Sequence, residues 1–238
     1  MPSPPTAYRH AAYFAPAPDS QAWQLGSQWL GRCARTGAQL SQPLPHGWDA
    51  LEFAQRTQEP RRYGWHATLK APFALAPDRT IADIDAGFFG LSGTAGAPFV
   101  LPLKLARIGQ FLALVPQEPS VRLQALADAC VRELHDCAAA LPPGEIERRS
   151  RHGLSPRQAA MLALWGYPYV MDDFAFHLTL TGPLTGLSDE HVAQLEDHAR
   201  SWFAPLLREG MLIDAVSWFA EDTPGADFRW VQRFGFAP

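Results

Sequence analysis

The sequence has few cysteines and lysines and no run of basic residues. Its three cysteines, Cys33, Cys130 and Cys137, are odd in number and lack zinc-finger spacing, so neither a disulfide framework nor a structural metal site is predicted. The only lysines are Lys70 and Lys104, and the formal net charge is -4. Because basic charge is neither abundant nor clustered, we do not expect a long nucleic acid as partner.

Long apolar runs are also missing. No segment approaches a membrane-spanning length, and the first residues, M-P-S-P-P-T-A-Y-R-H, lack the apolar core of a secretory signal. We therefore expect a cytoplasmic protein with no membrane partner. The 238 residues include 47% hydrophobic and 18% charged residues, a composition typical of a globular chain with a substantial core.

One short pattern occurs twice. It reads W-H-A-T-L-K-A-P at Trp65–Pro72 and F-H-L-T-L-T-G-P at Phe176–Pro183. If both copies are strands, their side chains alternate between two faces. The polar face would then carry His66, Thr68 and Lys70 in the first copy and His177, Thr179 and Thr181 in the second. The opposite face would place Ala67, Leu69, Leu178 and Leu180 in the core.

The remaining elements are mixed without regular alternation. Strands are predicted at 8–14, 99–108, 111–115, 211–219 and 228–236, and helices at 20–31, 51–56, 80–91, 119–141, 156–165 and 188–207. Residues 145–151 are predicted to be a charged connection between lobes. The expected fold class is α+β, with residues 1–238 forming a single domain of two lobes.

Two histidines that face one substrate are suited to proton transfer. The ordinary pKa of histidine, about 6.5, allows one imidazole to act as a base and another as an acid near neutral pH. A threonine on the same face can donate a hydrogen bond to a negatively charged oxygen. The pattern therefore predicts in-line attack at a phosphodiester, with His66 and His177 moving protons and Thr68 and Thr179 holding the non-bridging oxygens. Two histidines alone make a poor zinc site, so we predict neither a metal nor another cofactor.

The two H-x-T strands, about a hundred residues apart, resemble those of the two-histidine (2H) phosphoesterase superfamily. The fuller strings R-R-Y-G-W-H-A-T-L-K-A-P-F, W-G-Y-P-Y-V and F-H-L-T-L-T-G-P are similar to a bacterial branch described as phosphonate-metabolism proteins. Membership implies a two-lobed fold with a pseudo-twofold axis and antiparallel sheets that line a central cleft. It also implies hydrolysis of a cyclic phosphodiester, with His66, His177, Thr68 and Thr179 in the matching positions.

Further residues are candidates for contact with a small phosphorylated substrate. Lys70 and Thr181 follow from the alternation of the strands. Tyr63 and Tyr167 lie within the strings that resemble the bacterial branch, and Tyr13 begins a further string, Y-F-A-P at Tyr13–Pro16, that fits it as well. Tyrosines of this kind stack on a base or sugar or donate to a phosphate.

Two other functions fit the same residues. One is a protein that binds a nucleotide or a sugar phosphate without turnover, and the other is an enzyme that processes RNA ends carrying a 2′,3′-cyclic phosphate. Two titratable imidazoles favour an enzyme over a sensor. The acidic balance of the chain, at a net charge of -4, disfavours long RNA. The sequence does not define the oligomeric state.

Overall fold

A computed structural model describes residues 7–151 and 153–237. Helices and antiparallel strands are mixed along the chain. The strands are β1 Arg9–Phe14, β2 Ala67–Phe73, β3 Phe99–Leu101, β4 Leu103–Ile108, β5 Phe111–Pro116, β6 Leu178–Thr179, β7 Met211–Ile213, β8 Ala215–Glu221 and β9 Phe228–Gly235.

Several helices begin where the sequence offers capping residues. The helices are α1 Gln21–Leu30, α2 Ala50–Arg56, α3 Gln58–Tyr63, α4 Ile81–Thr94, α5 Val121–Glu133, α6 Pro143–Ser150, α7 Pro156–Trp165, α8 Asp189–Trp202 and α9 Ala204–Glu209. The hydroxyls of Ser20, Ser120 and Ser155 accept hydrogen bonds from backbone N–H groups in the first turns of α1, α5 and α7, as N-caps do. These starts match the predicted ones.

The two copies of the repeat lie in different sheets. The first copy forms β2, the edge strand of a four-stranded sheet in the order β2-β1-β8-β9. The second forms β6, the edge strand of a three-stranded sheet in the order β4-β5-β6. Strands β3 and β7 pair in a small third sheet. All the pairings are antiparallel, in agreement with the predicted α+β class. The pseudo-twofold arrangement of two lobes stays a prediction.

One large core joins the two sheets. The four residues that the repeat predicts to be buried, Ala67, Leu69, Leu178 and Leu180, are each at most 2% exposed and belong to this core. A smaller cluster, which includes Ala11, Tyr13 and Phe219, packs on the other face of β1. Both faces of β1 are therefore buried, with Ala12 and Phe14 in the large core and Ala11 and Tyr13 in the smaller cluster.

Prolines interrupt two of the predicted elements. The strand predicted at 99–108 is split at Pro102 into β3 and β4, which belong to different sheets, because proline has no N–H group for the ladder. The helix predicted at 188–207 is divided between α8 and α9 beside Pro205, since a proline inside a helix removes a hydrogen bond and clashes with the preceding turn.

Three other predictions are wrong in detail. Residues 145–151 lie mostly in the helix α6, whose Pro143 opens its first turn, so the charged segment is not an irregular connection. The second copy of the repeat forms a ladder only at Leu178–Thr179. Helix α5 ends at Glu133 and does not continue into 137–141. Helix α3, directly before the first copy, was not predicted.

Within the described ranges, no helix is both long and apolar enough to cross a membrane.

Candidate active site

Each predicted histidine directly precedes a strand and follows a buried aromatic residue. Trp65, before His66, is 1% exposed and stacks on Phe203 with ring centroids 5.4 Å apart. Phe176, before His177, is also buried in the core. The aromatic side chain turns inward in both copies, and the alternation of an extended chain then turns the histidine to the other face.

Both imidazoles are oriented by the same local hydrogen bond. Nδ1 of His66 donates to the carbonyl oxygen of Gly64 at 2.9 Å, and Nδ1 of His177 donates to the carbonyl oxygen of Ala175 at 2.8 Å. A carbonyl oxygen only accepts, so each bond fixes the proton of the neutral ring on Nδ1. Nε2 is therefore the atom of each histidine that is available to take up or give a proton.

Glycine is required for the first of these bonds. Gly64 has φ of +79°, a backbone conformation that side chains other than glycine rarely adopt. A Cβ at this position would also lie 2.6 Å from the Cβ of Ala34. The Y-G-W-H string thus positions the carbonyl that His66 uses.

The predicted threonines differ in how far their hydroxyls are engaged. Oγ1 of Thr68 lies 3.3 Å from Nε2 of His66, and Thr179 is half-buried opposite Ala113 of β5. Thr181 is fully buried, and its hydroxyl accepts a hydrogen bond from the N–H of Leu112 at 3.0 Å. Thr181 therefore also anchors the end of the second copy to β5.

Aromatic rings enclose His66 far more than His177. The ring centroid of His66 is 4.0 Å from that of Tyr13 and 5.8 Å from that of Tyr63. Burial lowers the pKa of His66 to about 4, the bond to the carbonyl of Gly64 partly opposes this, and the nearby His177 lowers it further. For His177, the ring centroid of Phe111 lies 5.9 Å from that of the imidazole. The imidazole of His66 is consequently neutral at pH 7.

The two histidines face one cavity of about 420 Å³, a size common for small-ligand sites. Eight of the nine predicted site residues line it. They are His66, Thr68, His177, Thr179, Thr181, Tyr13, Tyr63 and Tyr167. The residues that the sequence pattern selected from distant parts of the chain thus meet around a single space.

Lys70 is the exception, and its expected position on the face of His66 and Thr68 is wrong. The pairing of β1 with β2 shifts register between Thr68, which lies opposite Tyr13, and Lys70, which lies opposite Ala12. Directly opposite residues share a face, so this bulge turns Lys70 to the face of Ala12. Lys70 is 4% exposed and lines an adjoining cavity.

Arg9 lines the cavity although the sequence patterns did not single it out. It lies on β1 four residues before Tyr13, and both side chains line the cavity. Its Nε donates to the fully buried carboxylate of Glu221, which also pairs with Arg62. The sequence did contain a signal for Arg9, because it lies four residues before Tyr13 and residues four apart on a strand point to the same face.

Arg148 and Arg149 of α6 also line the cavity. The carboxylate of Glu145 accepts hydrogen bonds from both guanidinium groups, and the bond from Arg148 is the largest cause that lowers the pKa of Glu145 to about 2. Among the described residues, three arginines and one carboxylate, that of Glu59, thus line the space. The arginines are paired with Glu221 and Glu145, which lie outside the lining, and they are held by these pairs at the wall of the cavity, where guanidinium groups can bind an anionic ligand.

The donors around the cavity do not form a metal centre. Among residues 7–151 and 153–237, no three or more His, Cys, Asp or Glu side chains are grouped to hold an ion. Imidazoles, hydroxyls and guanidinium groups instead match the oxygen atoms of a phosphate.

Comparisons with curated proteins find relatives named ribose 1,5-bisphosphate phosphokinase PhnN. One, from Laribacter hongkongensis (strain HLHK9), is 39% identical over 228 residues, which make up 93% of this chain and 50% of that protein. Another, from Janthinobacterium sp. (strain Marseille), is 34% identical over 230 residues, or 96% of this chain and 51% of that protein. The chain thus spans about half the length of the curated relatives it matches.

A solved structure described as "Crystal structure of phosphoesterase" aligns with a TM-score of 0.43 and 9% sequence identity, covering 98% of this chain and 99% of that chain. A family model described as "Protein of unknown function (DUF1045)" matches residues 68–229. That match covers more than half of the sequence, and the chain therefore belongs to the DUF1045 family.

Proposed function

We propose that this chain is a metal-independent phosphoesterase of the 2H type that hydrolyses a small cyclic phosphodiester. The observation that carries the proposal is the matched pair of histidines. Both line one cavity, and both use Nδ1 to bind the carbonyl oxygen two residues earlier. A protein that only binds phosphate needs donors but has no need of two imidazoles whose Nδ1 bonds leave Nε2 as the proton-transfer atom.

In the proposed reaction, water attacks phosphorus while Nε2 of His66 takes its proton. His66 is the base because its pKa of about 4 leaves it neutral. His177 enters this step as an imidazolium whose Nδ1–H stays on the carbonyl oxygen of Ala175. Its Nε2–H donates a proton to the ring oxygen as the bond between that oxygen and phosphorus breaks. Transfer of the proton from His66 back to His177 through solvent then restores both side chains. The products are a phosphate monoester and a free hydroxyl on the same molecule, and one proton has passed from water to the leaving oxygen.

The negative charge of the phosphoryl group would be held by hydroxyl and guanidinium donors. Thr68 and Thr179 are the proposed donors to the non-bridging oxygens, and both line the cavity with the histidines. Arg9 and Arg148 add positive charge at its wall. Fixed donors of this kind stabilise the transition state without reorganising during the reaction.

A sugar phosphate suits this site better than an RNA end. The relatives are named for a kinase of ribose 1,5-bisphosphate, and opening a cyclic phosphate of ribose yields a ribose phosphate. We therefore place the proposed reaction in phosphonate metabolism, with a five-membered cyclic phosphate of ribose as the candidate substrate. The net charge of -4 also disfavours long RNA.

Phosphorus NMR of the purified protein with a panel of cyclic phosphodiesters tests this proposal. The panel holds ribose cyclic phosphates and 2′,3′-cyclic nucleotides, each with and without EDTA. We expect conversion of at least one compound to a monoester, unaffected by EDTA and absent in the His66→Ala/His177→Ala double variant. The matched control is His46→Ala, because His46 is exposed and lies outside the cavity. Binding without turnover would favour a sensor, and loss of activity in EDTA that is restored by added metal would contradict the metal-free mechanism.

A further inference from the structure

A second cavity, of about 530 Å³, adjoins the one that holds the histidines. We call it the Lys70 cavity. Ala71, Pro72, Arg149 and Tyr167 line both spaces and so form their common wall. The two spaces are therefore close enough for one small molecule to place a substituent in each.

The ammonium group of Lys70 is buried without a compensating charge. The residue is 4% exposed. Within the described ranges it forms no salt bridge, and its one hydrogen bond is donated to the carbonyl oxygen of Val131 at 3.2 Å. The ring of Phe73 lies 5.3 Å from Nζ. An ammonium carries three N–H donors, so two of them remain for another group.

The other polar residues of the Lys70 cavity are also donors. Arg149 lines it, and so does His135, whose Nδ1 is buried and has no hydrogen-bond partner among the residues described. No Asp or Glu occurs among the described residues that line this space, and Arg149 is paired with Glu145, which lies outside it. Lys70 is therefore the cation of this cavity without a carboxylate partner among the described residues, and the rest of the wall is mainly apolar.

Burial makes the charged form of Lys70 less favourable in free energy. Burial lowers its pKa from 10.5 to about 8, which the thiols of Cys130 and Cys137 only partly oppose. The pKa of His135 is lowered by burial and then by Lys70, with Asp136 acting in the opposite direction. Unpaired buried charges are rare unless they meet a ligand. An anion in this cavity would stabilise the buried ammonium group of Lys70.

A structural role accounts for only part of this arrangement. Val131 lies in the last turn of α5, and a cation there caps free carbonyl groups and offsets the helix dipole. That role uses a single donor of Lys70. It leaves unexplained the cavity in front of the amine and the buried, unpartnered nitrogen of His135.

We propose that the Lys70 cavity binds a second anionic group of the substrate, a phosphate monoester, while the cyclic phosphodiester lies between His66 and His177. The link to the diester rests on the proposed function, but the anion site itself does not. The substrate class is then a cyclic phosphodiester of a small sugar that carries a separate phosphate, with Lys70 as a specificity-determining residue.

The first experiment measures anion binding without turnover. Because Lys70 and Lys104 are the only lysines, protein with 13C-labelled lysine gives two separable side-chain signals. Ribose 5-phosphate, which contains no cyclic diester, is added during a pH titration. We expect the pKa of Lys70 to rise by about 1–3 units, as a close opposite charge dictates, and that of Lys104 to stay unchanged. No change at Lys70, or an equal change at both lysines, would overturn the proposal.

Variants separate this site from the histidine cavity. Binding of ribose 5-phosphate should weaken by about 10- to 100-fold in Lys70→Met, the loss expected for charge-assisted hydrogen bonds. It should persist in the His66→Ala/His177→Ala variant and in the control Lys104→Met. Binding that depends on the histidines and not on Lys70 would contradict the proposal. If Lys70→Met does not fold, the titration of the unaltered protein decides.

A matched pair of substrates links the two cavities. Wild-type protein should hydrolyse a ribose cyclic phosphate with a 5-phosphate about 10- to 100-fold more efficiently in kcat/KM than the same compound without it, and Lys70→Met should abolish this ratio. An equal rate for both compounds would contradict the spanning substrate. If ribose 5-phosphate binds at Lys70 but no cyclic diester is hydrolysed, the proposed function fails and the anion site stands.

Discussion

The two copies of the histidine motif share their local geometry and differ in their surroundings. Each histidine follows a buried aromatic residue and binds the carbonyl oxygen two residues earlier through Nδ1. The first copy continues into the seven-residue strand β2, and the second forms a ladder over only two residues. Tyr13 and Tyr63 flank His66, whereas Phe111 flanks His177.

This comparison teaches that two levels of structure determine the chemistry. The short-range pattern orients the imidazole and selects the nitrogen that carries the proton. The packing of distant aromatic residues sets the acidity, because burial lowers the pKa of His66 to about 4. A repeated motif thus supplies two similar groups in different environments, which the proposed mechanism uses as base and acid.

The largest effects are expected from removal of either histidine. His66→Ala and His177→Ala should each lower kcat for a cyclic phosphodiester by about 10²–10⁴-fold, since each removes one proton-transfer group. Steady-state kinetics with the substrate found in the phosphorus NMR screen measures the loss, and circular dichroism checks the fold. A single variant with wild-type kcat would remove that histidine from the mechanism.

Replacing either threonine should lower kcat less than removing a histidine does. Thr68→Val and Thr179→Val each delete one donor to the phosphoryl oxygens, and we expect about a 10²-fold fall in kcat with a smaller change in KM. If the loss appeared entirely in KM, the threonines would bind the substrate and the transition state equally and would not contribute to kcat.

A reciprocal exchange tests the orienting carbonyl groups. Gly64→Ala should lower the free energy of unfolding by about 1–3 kcal/mol, because φ is +79° and the new Cβ would press on Ala34. Ala175→Gly, at the matching position, should cost at most about 1 kcal/mol. Urea denaturation compares the two variants. Equal losses of unfolding free energy in the two variants would mean that Gly64, whose carbonyl oxygen orients His66, does not need a glycine backbone conformation.

The smallest effect concerns the acidic side of the pH profile. His66 must be unprotonated to act as base, so on the acidic side of the profile kcat/KM should fall as the pH drops through its pKa of about 4. The lowered pKa also means that protonation of His66 opposes folding. Its contribution to stability is complete above pH 6.5 and is lost as the pH falls through about 4. Imidazole 15N NMR measures this pKa directly, and a value near 6.5 would contradict the burial argument.

Much of the site could be predicted because it depends on short spacings. The repeat identified His66, Thr68, His177 and Thr179, and its apolar positions predicted the core side of each copy. The capping residues and prolines predicted the starts of α1, α5 and α7. These signals act within a few residues, so the sequence displays them directly.

The remaining features depend on contacts between distant residues. The bulge that turns Lys70 away from His66 arises from the pairing of β2 with β1, and strict alternation could not foresee it. The short ladder of β6 depends on its partner β5. The role of Arg9 depends on Glu221, which lies 212 residues further along the chain. None of these pairings leaves a local pattern.

The division of labour between the two histidines is tested most directly by a change of leaving group. The leaving group of a 4-nitrophenyl phosphodiester, 4-nitrophenolate, departs without being protonated. Hydrolysis of this compound therefore needs a base but no acid. We expect His177→Ala to retain most of the wild-type rate with this compound while losing the cyclic substrate, and His66→Ala to lose both. Equal loss of both substrates in the two variants, or rescue of His66→Ala alone, would contradict the assignment of His66 as base and His177 as acid.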